Sequence, residues 1–197
     1  MTNNEAPNAP SEKVERSLLQ RILGKEGGQV AIVIFLLLCV YLFGYRQMRF
    51  FLVPSASMEN TLLRGDQIVT MNQTEYQRGD IIVYKDLRDD GNNVKRIVGI
   101  AGDSIEVRGG ALYINGQYIS EPYIRELMDY VIQPPIVVPE GHVFVLGDNR
   151  NISDDGHTSR EAVPIDRIVG KVSHIYYPYD RLGKVRNYPL QIIQTTQ

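Results

Sequence analysis

The run from Gly27 to Tyr45 carries no charged side chain, and from Val30 to Phe43 it is apolar whichever face of a helix is considered. At 1.5 Å per residue the run reaches roughly 28 Å, close to the ~30 Å hydrocarbon core of a bilayer. A helix that packs on a protein core shows one apolar stripe, whereas this one is apolar all round. The run therefore predicts a transmembrane helix over 27–45, preceded by a segment 1–26 and followed by a body 46–197. A cleaved secretory signal fits less well, because the preceding residues include acidic ones and the run exceeds the ~7–15 residues of such a core. Arg16, Arg21 and Lys25 on one side outnumber Arg46 and Arg49 on the other. By the positive-inside rule this sets 1–26 in the cytoplasm and the body outside it, single-pass in the cell membrane. Residues 1–10 read as disordered, and Glu12 to Lys25 as a short amphipathic helix on the inner surface. Membrane lipid is thus an expected partner.

Composition narrows the chemistry. With 43% hydrophobic and 22% charged residues and a net charge of −2, there is no electrostatic case for nucleic-acid binding. The single cysteine, Cys39, lies inside the apolar run, which excludes a disulfide framework, a cysteine zinc site and a cysteine nucleophile in the body. His142, His157 and His174 show no metal-ligand spacing, so no metal is expected.

The body reads as mainly β. Runs rich in Val, Ile and Tyr are bounded by turn residues: Gln67–Met71, Ile81–Lys85, Val94–Ile100, Ser104–Val107, Ala111–Ile114, Gln117–Ile119, Val143–Leu146 and Ile168–Tyr176. Asn115-Gly116 between two of them predicts a type I′ hairpin. The proline-bearing stretch Gln133–Pro139 reads as an extended edge or crossing loop. The expected architecture is an antiparallel body with a barrel-like core and an inserted hairpin region near 104–141.

Two serines, Ser55 and Ser57, follow Pro54 just beyond the apolar run. A serine hydroxyl needs a neighbour to take its proton. No histidine stands in a recognisable catalytic setting, but Lys95 sits within the strand-like Val94-Lys95-Arg96-Ile97-Val98. Lysine serves as a base only when neutral, and burial among apolar groups favours that form. Alternation sets Lys95 and Ile97 on one strand face and Val94 and Arg96 on the other. Read singly, Lys95 is a solvated strand residue and Ser57 a turn residue; only together do they suggest a serine–lysine hydrolase facing a membrane surface.

The wider pattern resembles the type I (leader) signal peptidases, membrane-anchored serine–lysine endopeptidases of bacteria, from the apolar run to about residue 178. Four segments carry the resemblance in order: Pro54-Ser55-Ala56-Ser57-Met58 with Thr61-Leu62, Arg78-Gly79-Asp80-Ile81-Ile82-Val83-Tyr84, Val94-Lys95-Arg96 through Gly102-Asp103, and Gly147-Asp148-Asn149-Arg150 with Ser153. The resemblance implies Ser57 as nucleophile, Lys95 as general base, Ser153 orienting the lysine amine, and the Ser55 hydroxyl with the Ser57 N–H as oxyanion hole. It implies shallow apolar subsites lined by Phe51, Val53, Met58, Leu62, Ile68, Val83 and Val94, and no cofactor. The implied substrates are exported preproteins with N-terminal signal peptides, cut after small residues of Ala-x-Ala type. Arg96, Asp148, Asn149 and Arg150 are expected to build structure around the site. Asn60 stands where the family usually has proline. His157 stands where the family's last motif has the arginine partner of its aspartate, here Asp155, and Arg160 comes three residues later. Two other readings stay open, a serine–lysine protease that cuts itself or one regulatory partner, and an inactive membrane-tethered β module.

Overall fold

The computed structural model describes residues 25–192 apart from 87, 90, 187 and 189. The expected disordered start and the amphipathic helix before Lys25 lie outside the described residues. The chain divides into two units, Met1–Arg46 and Gln47–Gln197. Helix α1 spans Lys25–Gln47. Its described large apolar side chains, from Val30 to Leu42, are all exposed. Among the described residues, no helix is long and apolar enough to cross a membrane.

The second unit is antiparallel β throughout. The first sheet takes β1 (Met48–Leu52), β2 (Gln67–Met71), β3 (Ile81–Lys85) and β4 (Asn92–Ile100). The second takes β5 (Ser104–Arg108), β6 (Ala111–Ile114), β7 (Gln117–Ser120) and β8 (Ile132–Val137). The chain then returns to the first sheet with β9 (His142–Leu146), the one-turn helix α2 (Gly156–Ser159), β10 (Val163–Pro164), β11 (Ile168–Tyr177) and β12 (Gly183–Lys184). Finally β13 (Gln191–Ile192) joins the edge of the second sheet beside β7. The first sheet runs β1-β2-β11-β3-β4-β9-β10, with β12 beside β11. Where a barrel-like core was expected, this path is open, with β1 and β10 at its ends. The second sheet, order β13-β7-β6-β5-β8, is the hairpin region expected near 104–141. Asn115 and Gly116 both take positive φ, 54° and 76°, as the I′ turn requires. The proline-bearing stretch forms edge strand β8 against β5.

Strand β3 shows how the core is divided. Ile81 and Val83 point into a cluster with Val53, Met58, Leu62, Ile68, Val94 and Val172, while Ile82 and Tyr84 point into another with Ile97, Val143, Val145 and Val163. Both faces of β3 and β4 are therefore buried, and their registered pairs Ile82–Lys95 and Val83–Val94 fall on opposite sides of the sheet. A third cluster lies under the second sheet, where Phe144 and Leu146 of β9 join Ile105, Val107, Leu112 and Ile114. Strand β9 thus belongs to two cores, and the loop that follows it is held from both.

Candidate active site

The segment leaving β1 is pinned before it reaches the serines. Val53 donates its N–H to the Asp66 carbonyl, and the Gly65 N–H returns to the Val53 carbonyl. After the serines the chain makes a helical turn, Leu62 N–H to Met58 O, with both side chains fully buried. Ser55 is thereby left exposed and Ser57 half-buried between apolar anchors. The Ser55 hydroxyl donates to Ser57 Oγ at 3.2 Å. Asn149 grips the backbone here, its N–H on the Ser57 carbonyl and its side-chain amide on the Ala56 carbonyl, each at 3.1 Å.

Lys95 projects from the middle of β4 toward the cluster of Ile82, Ile97 and Val145, and is only 4% exposed. Among the described residues it makes no hydrogen bond and no ion pair. Burial holds its amine below the ordinary 10.5, against an opposing pull from the Asp155, Asp154, Asp86 and Asp148 carboxylates. An inward-facing lysine is desolvated without needing a carboxylate partner, and here burial outweighs the four carboxylates, none of which pairs with the amine among the described residues.

Gly147 lies where the segments of Ser57 and Ser153 meet the strand that carries Lys95. Arg96 pairs with Leu146 across the β4–β9 ladder, so the next step along that antiparallel register sets Gly147 opposite Lys95. Side chains directly opposite share a face. A Cβ added at Gly147 would stand 2.5 Å from the Ser57 carbonyl oxygen and closer still to Ser153 Oγ. Only glycine lets the Ser57 backbone and the Ser153 hydroxyl close in on the face from which Lys95 projects. No hydrogen bond joins Ser57 Oγ to Lys95 or to Ser153 among the described residues. Ser153 is buried, and its Oγ, though near enough to help hold Asp155 ionised, meets no partner at hydrogen-bonding geometry among the described residues.

The Gly147 peptide is held on both sides by charged groups. Its N–H donates to Asp155 Oδ2 at 2.6 Å, and its carbonyl accepts from Arg150 Nε at 3.0 Å. The fully buried Arg150 pairs in turn with Glu121 of the loop after β7, at 2.8 Å and 2.5 Å. A second buried pair sits alongside: Arg96 grips Asp148 through Nε at 2.8 Å and Nη2 at 2.7 Å, and caps the Gly79 carbonyl. Thr61 donates to Asp148, and the Arg96 guanidinium lies 4.0 Å over the Tyr123 ring. Such pairs are retained when desolvation is offset by full hydrogen bonding, as it is for these two. The expectation that Arg96, Asp148, Asn149 and Arg150 frame the site matches these contacts. Glu121, which completes the frame from the second sheet, gave no signal in the sequence.

The partner of Asp155 is His157. Its Nδ1 lies 2.8 Å from Asp155 Oδ1, and since a carboxylate only accepts, that nitrogen carries the proton. Burial alone would push the Asp155 carboxyl up, but the bonds from His157 and Gly147 hold it below the usual carboxylate value. The His157 ring stacks on Tyr130 at 4.0 Å. Arg160, which the sequence offered as an alternative partner, turns away and donates to the Pro134 carbonyl on β8 at 2.9 Å.

The residues expected to line the subsites gather in one place. Val53, Met58, Leu62, Ile68, Val83 and Val94 belong to a single buried cluster, with Phe51 packed half-exposed against it. Val94, 8% exposed, is the most accessible of the six.

Residues 25–177 match the family model described as signal peptidase, peptidase S26. The chain belongs to that family. It is similar to signal peptidase I of Bacillus licheniformis, 30% identical over 168 residues that cover 79% of this chain and 88% of that protein. Against signal peptidase I S of Bacillus subtilis strain 168 the identity is 31% over 170 residues, covering 79% and 88%. A crystal structure of a signal peptidase I from Enterococcus faecalis V583 aligns at 31% identity and a TM-score of 0.43, covering 50% of this chain and 97% of that one. Membership makes this chain a peptidase of the serine class, a hydrolase that acts on peptide bonds.

Proposed function

We propose that this signal peptidase removes N-terminal signal peptides from exported preproteins, cutting after small residues of Ala-x-Ala type, with Ser57 as nucleophile and Lys95 as its general base. The observation that carries the reading is the burial of Lys95, whose amine is desolvated and, among the described residues, has no hydrogen-bond or ion-pair partner to fix its charge. A neutral amine there accepts the Ser57 proton as Oγ attacks the scissile carbonyl, and later gives it to the leaving amine. The developing oxyanion is met by the Ser57 N–H and by the Ser55 hydroxyl, which already stands 3.2 Å from Ser57 Oγ. The unpaired Ser153 hydroxyl orients the amine. The apolar cluster around Val94, with Phe51, Val53, Met58, Leu62, Ile68 and Val83, receives the small side chains. No step calls on a metal or organic cofactor.

The body works at a membrane surface, anchored by a single helix over 27–45, with 1–26 cytoplasmic and 46–197 outside. Two features support this. The Gly27–Tyr45 run is long enough in sequence, although among the described residues no helix is long and apolar enough to cross a membrane. Phe50, Leu52, Tyr177, Tyr179 and Leu182 are also exposed on the body, apolar area that lipid would cover.

The test is incubation of the detergent-solubilised full chain, with Ser57→Ala and Lys95→Ala beside it, with a preprotein bearing an Ala-x-Ala site, products being read by mass spectrometry. Cleavage directly after that site by wild type alone is expected. Intact substrate with folded wild type refutes the reading.

A further inference from the structure

His157 stands within reach of the catalytic face without touching it. Its Nδ1–H and its backbone N–H both reach Asp155 Oδ1, at 2.8 Å and 3.2 Å, while Asp155 Oδ2 takes the Gly147 N–H at 2.6 Å. The imidazole is fixed from its other sides, by the Tyr130 ring at 4.0 Å and by the Thr158 hydroxyl 3.1 Å from Nε2. The chain is therefore continuous: imidazole, carboxylate, the Gly147 peptide, and on its open face Ser153 Oγ and the Ser57 carbonyl.

Resting on the Ser57–Lys95 reading, we infer that His157 is a positioning residue: through Asp155 it seats the Gly147 peptide, and with it Ser153 and the backbone of Ser57, against Lys95. The residue type matters as well as the contact. Asp155 is the strongest of the carboxylates that favour the charged form of Lys95, the others being Asp154, Asp86 and Asp148. Arg88 bridges Asp86 and Asp154, and Tyr84 faces Asp155 from β3. Arg150, Glu121 and Asp129 act electrostatically on Tyr130, whose ring stacks on the imidazole. A guanidinium keeps its charge at every working pH. A permanent cation on Asp155 would offset that carboxylate and make Lys95 easier to deprotonate. Position 157 thus sets both the geometry of the pair and the pH at which the base becomes available.

The experiment compares His157→Ala and His157→Arg with the wild type. Hydrogen–deuterium exchange over 146–155 is followed in a Ser57→Ala background, and kcat and KM are measured from pH 6 to 10 with Ser57 present. His157→Ala is expected to exchange faster over that stretch alone and to lose about 10–100-fold in kcat, the usual effect of removing an outer-shell partner. KM should stay within about twofold. His157→Arg should restore protection and rate, and move the acidic limb of kcat/KM down by about half a pH unit or more. Wild-type exchange and rate in His157→Ala overturn the positioning role. An unmoved limb in His157→Arg overturns the charge argument, and serves alone should His157→Ala not fold. If wild type cuts no preprotein, the peptidase reading fails, while the exchange data still decide whether His157 holds the Gly147 peptide.

Discussion

Gly147→Ala is the smallest change that tests the assembled site. The added methyl would lie 2.5 Å from the Ser57 carbonyl oxygen and nearer to Ser153 Oγ, with the Ser153 Cβ at 2.6 Å. Ordinary carbon–oxygen contact begins near 3.2–3.4 Å, so the carbonyl or the strand must retreat by roughly 0.7–1 Å. Neither yields easily, because the Ser57 carbonyl is bonded to the Asn149 N–H and the Gly147 peptide to Asp155 and Arg150. Overpacking of this kind costs about 1–3 kcal/mol. For a chain of this size that lowers Tm by about 2–12 °C, at roughly 2–4 °C per kcal/mol. The rate should suffer more: a misplacement near 1 Å at a reacting group removes about 100-fold. The assay pairs preprotein cleavage with a thermal melt, and Gly28→Ala, where nothing lies within 4 Å of the new methyl, serves as control. Cleavage by Gly147→Ala at the wild-type rate would refute the argument that this glycine seats Ser57 and Ser153 against Lys95.

Other outcomes follow from the same geometry. Ser153→Ala removes a buried, unpaired hydroxyl, so stability should hold or rise by about 1 kcal/mol while kcat falls roughly 100-fold, read by a melt and by cleavage kinetics. Arg96→Met leaves Asp148 buried without its cation, and should cost about 3–5 kcal/mol in denaturant unfolding. Much of that should return in Arg96→Met with Asp148→Leu, because the stranded charge is then gone. Because the folded state holds the Lys95 value below 10.5, the unfolded chain binds more protons between the two values, and stability should rise with pH there. Lys95→Met removes that dependence. Its stability advantage over wild type should therefore be fullest below the lowered folded value and shrink as pH climbs toward 10.5, and unfolding midpoints taken from pH 7 to 10.5 test the sign.

Much of the body was legible because its strands carry strong β-formers between turn residues. Ranges such as Gln67–Met71, Ile81–Lys85 and Ala111–Ile114 came out as expected. Strand β1 did not, because Met48–Leu52 follows the apolar run directly and most of its residues are exposed, so nothing in its pattern separates it from a continuing helix. Strands β10, β12 and β13 are two residues each, too short to carry a period. In the site, Ser57, Lys95 and Ser153 were readable from motif order, and the structure brings the segments of Ser57 and Ser153 together at Gly147, across from Lys95. Partners set by long-range packing were not readable. Glu121 meets Arg150 only because the second sheet folds back on β9, and the choice of His157 over Arg160 is made by the turn of α2.

The edge strand β8 carries one more consequence. Its Pro134 and Pro135 have no N–H to offer, and Arg160 occupies the Pro134 carbonyl. An edge of this kind offers an incoming extended chain no donor from Pro134 or Pro135, and the Pro134 carbonyl is already engaged. Strand addition by another extended chain is thereby disfavoured at this end of the second sheet. Arg160, which does not pair with the Asp155 carboxylate, thus helps to close that edge.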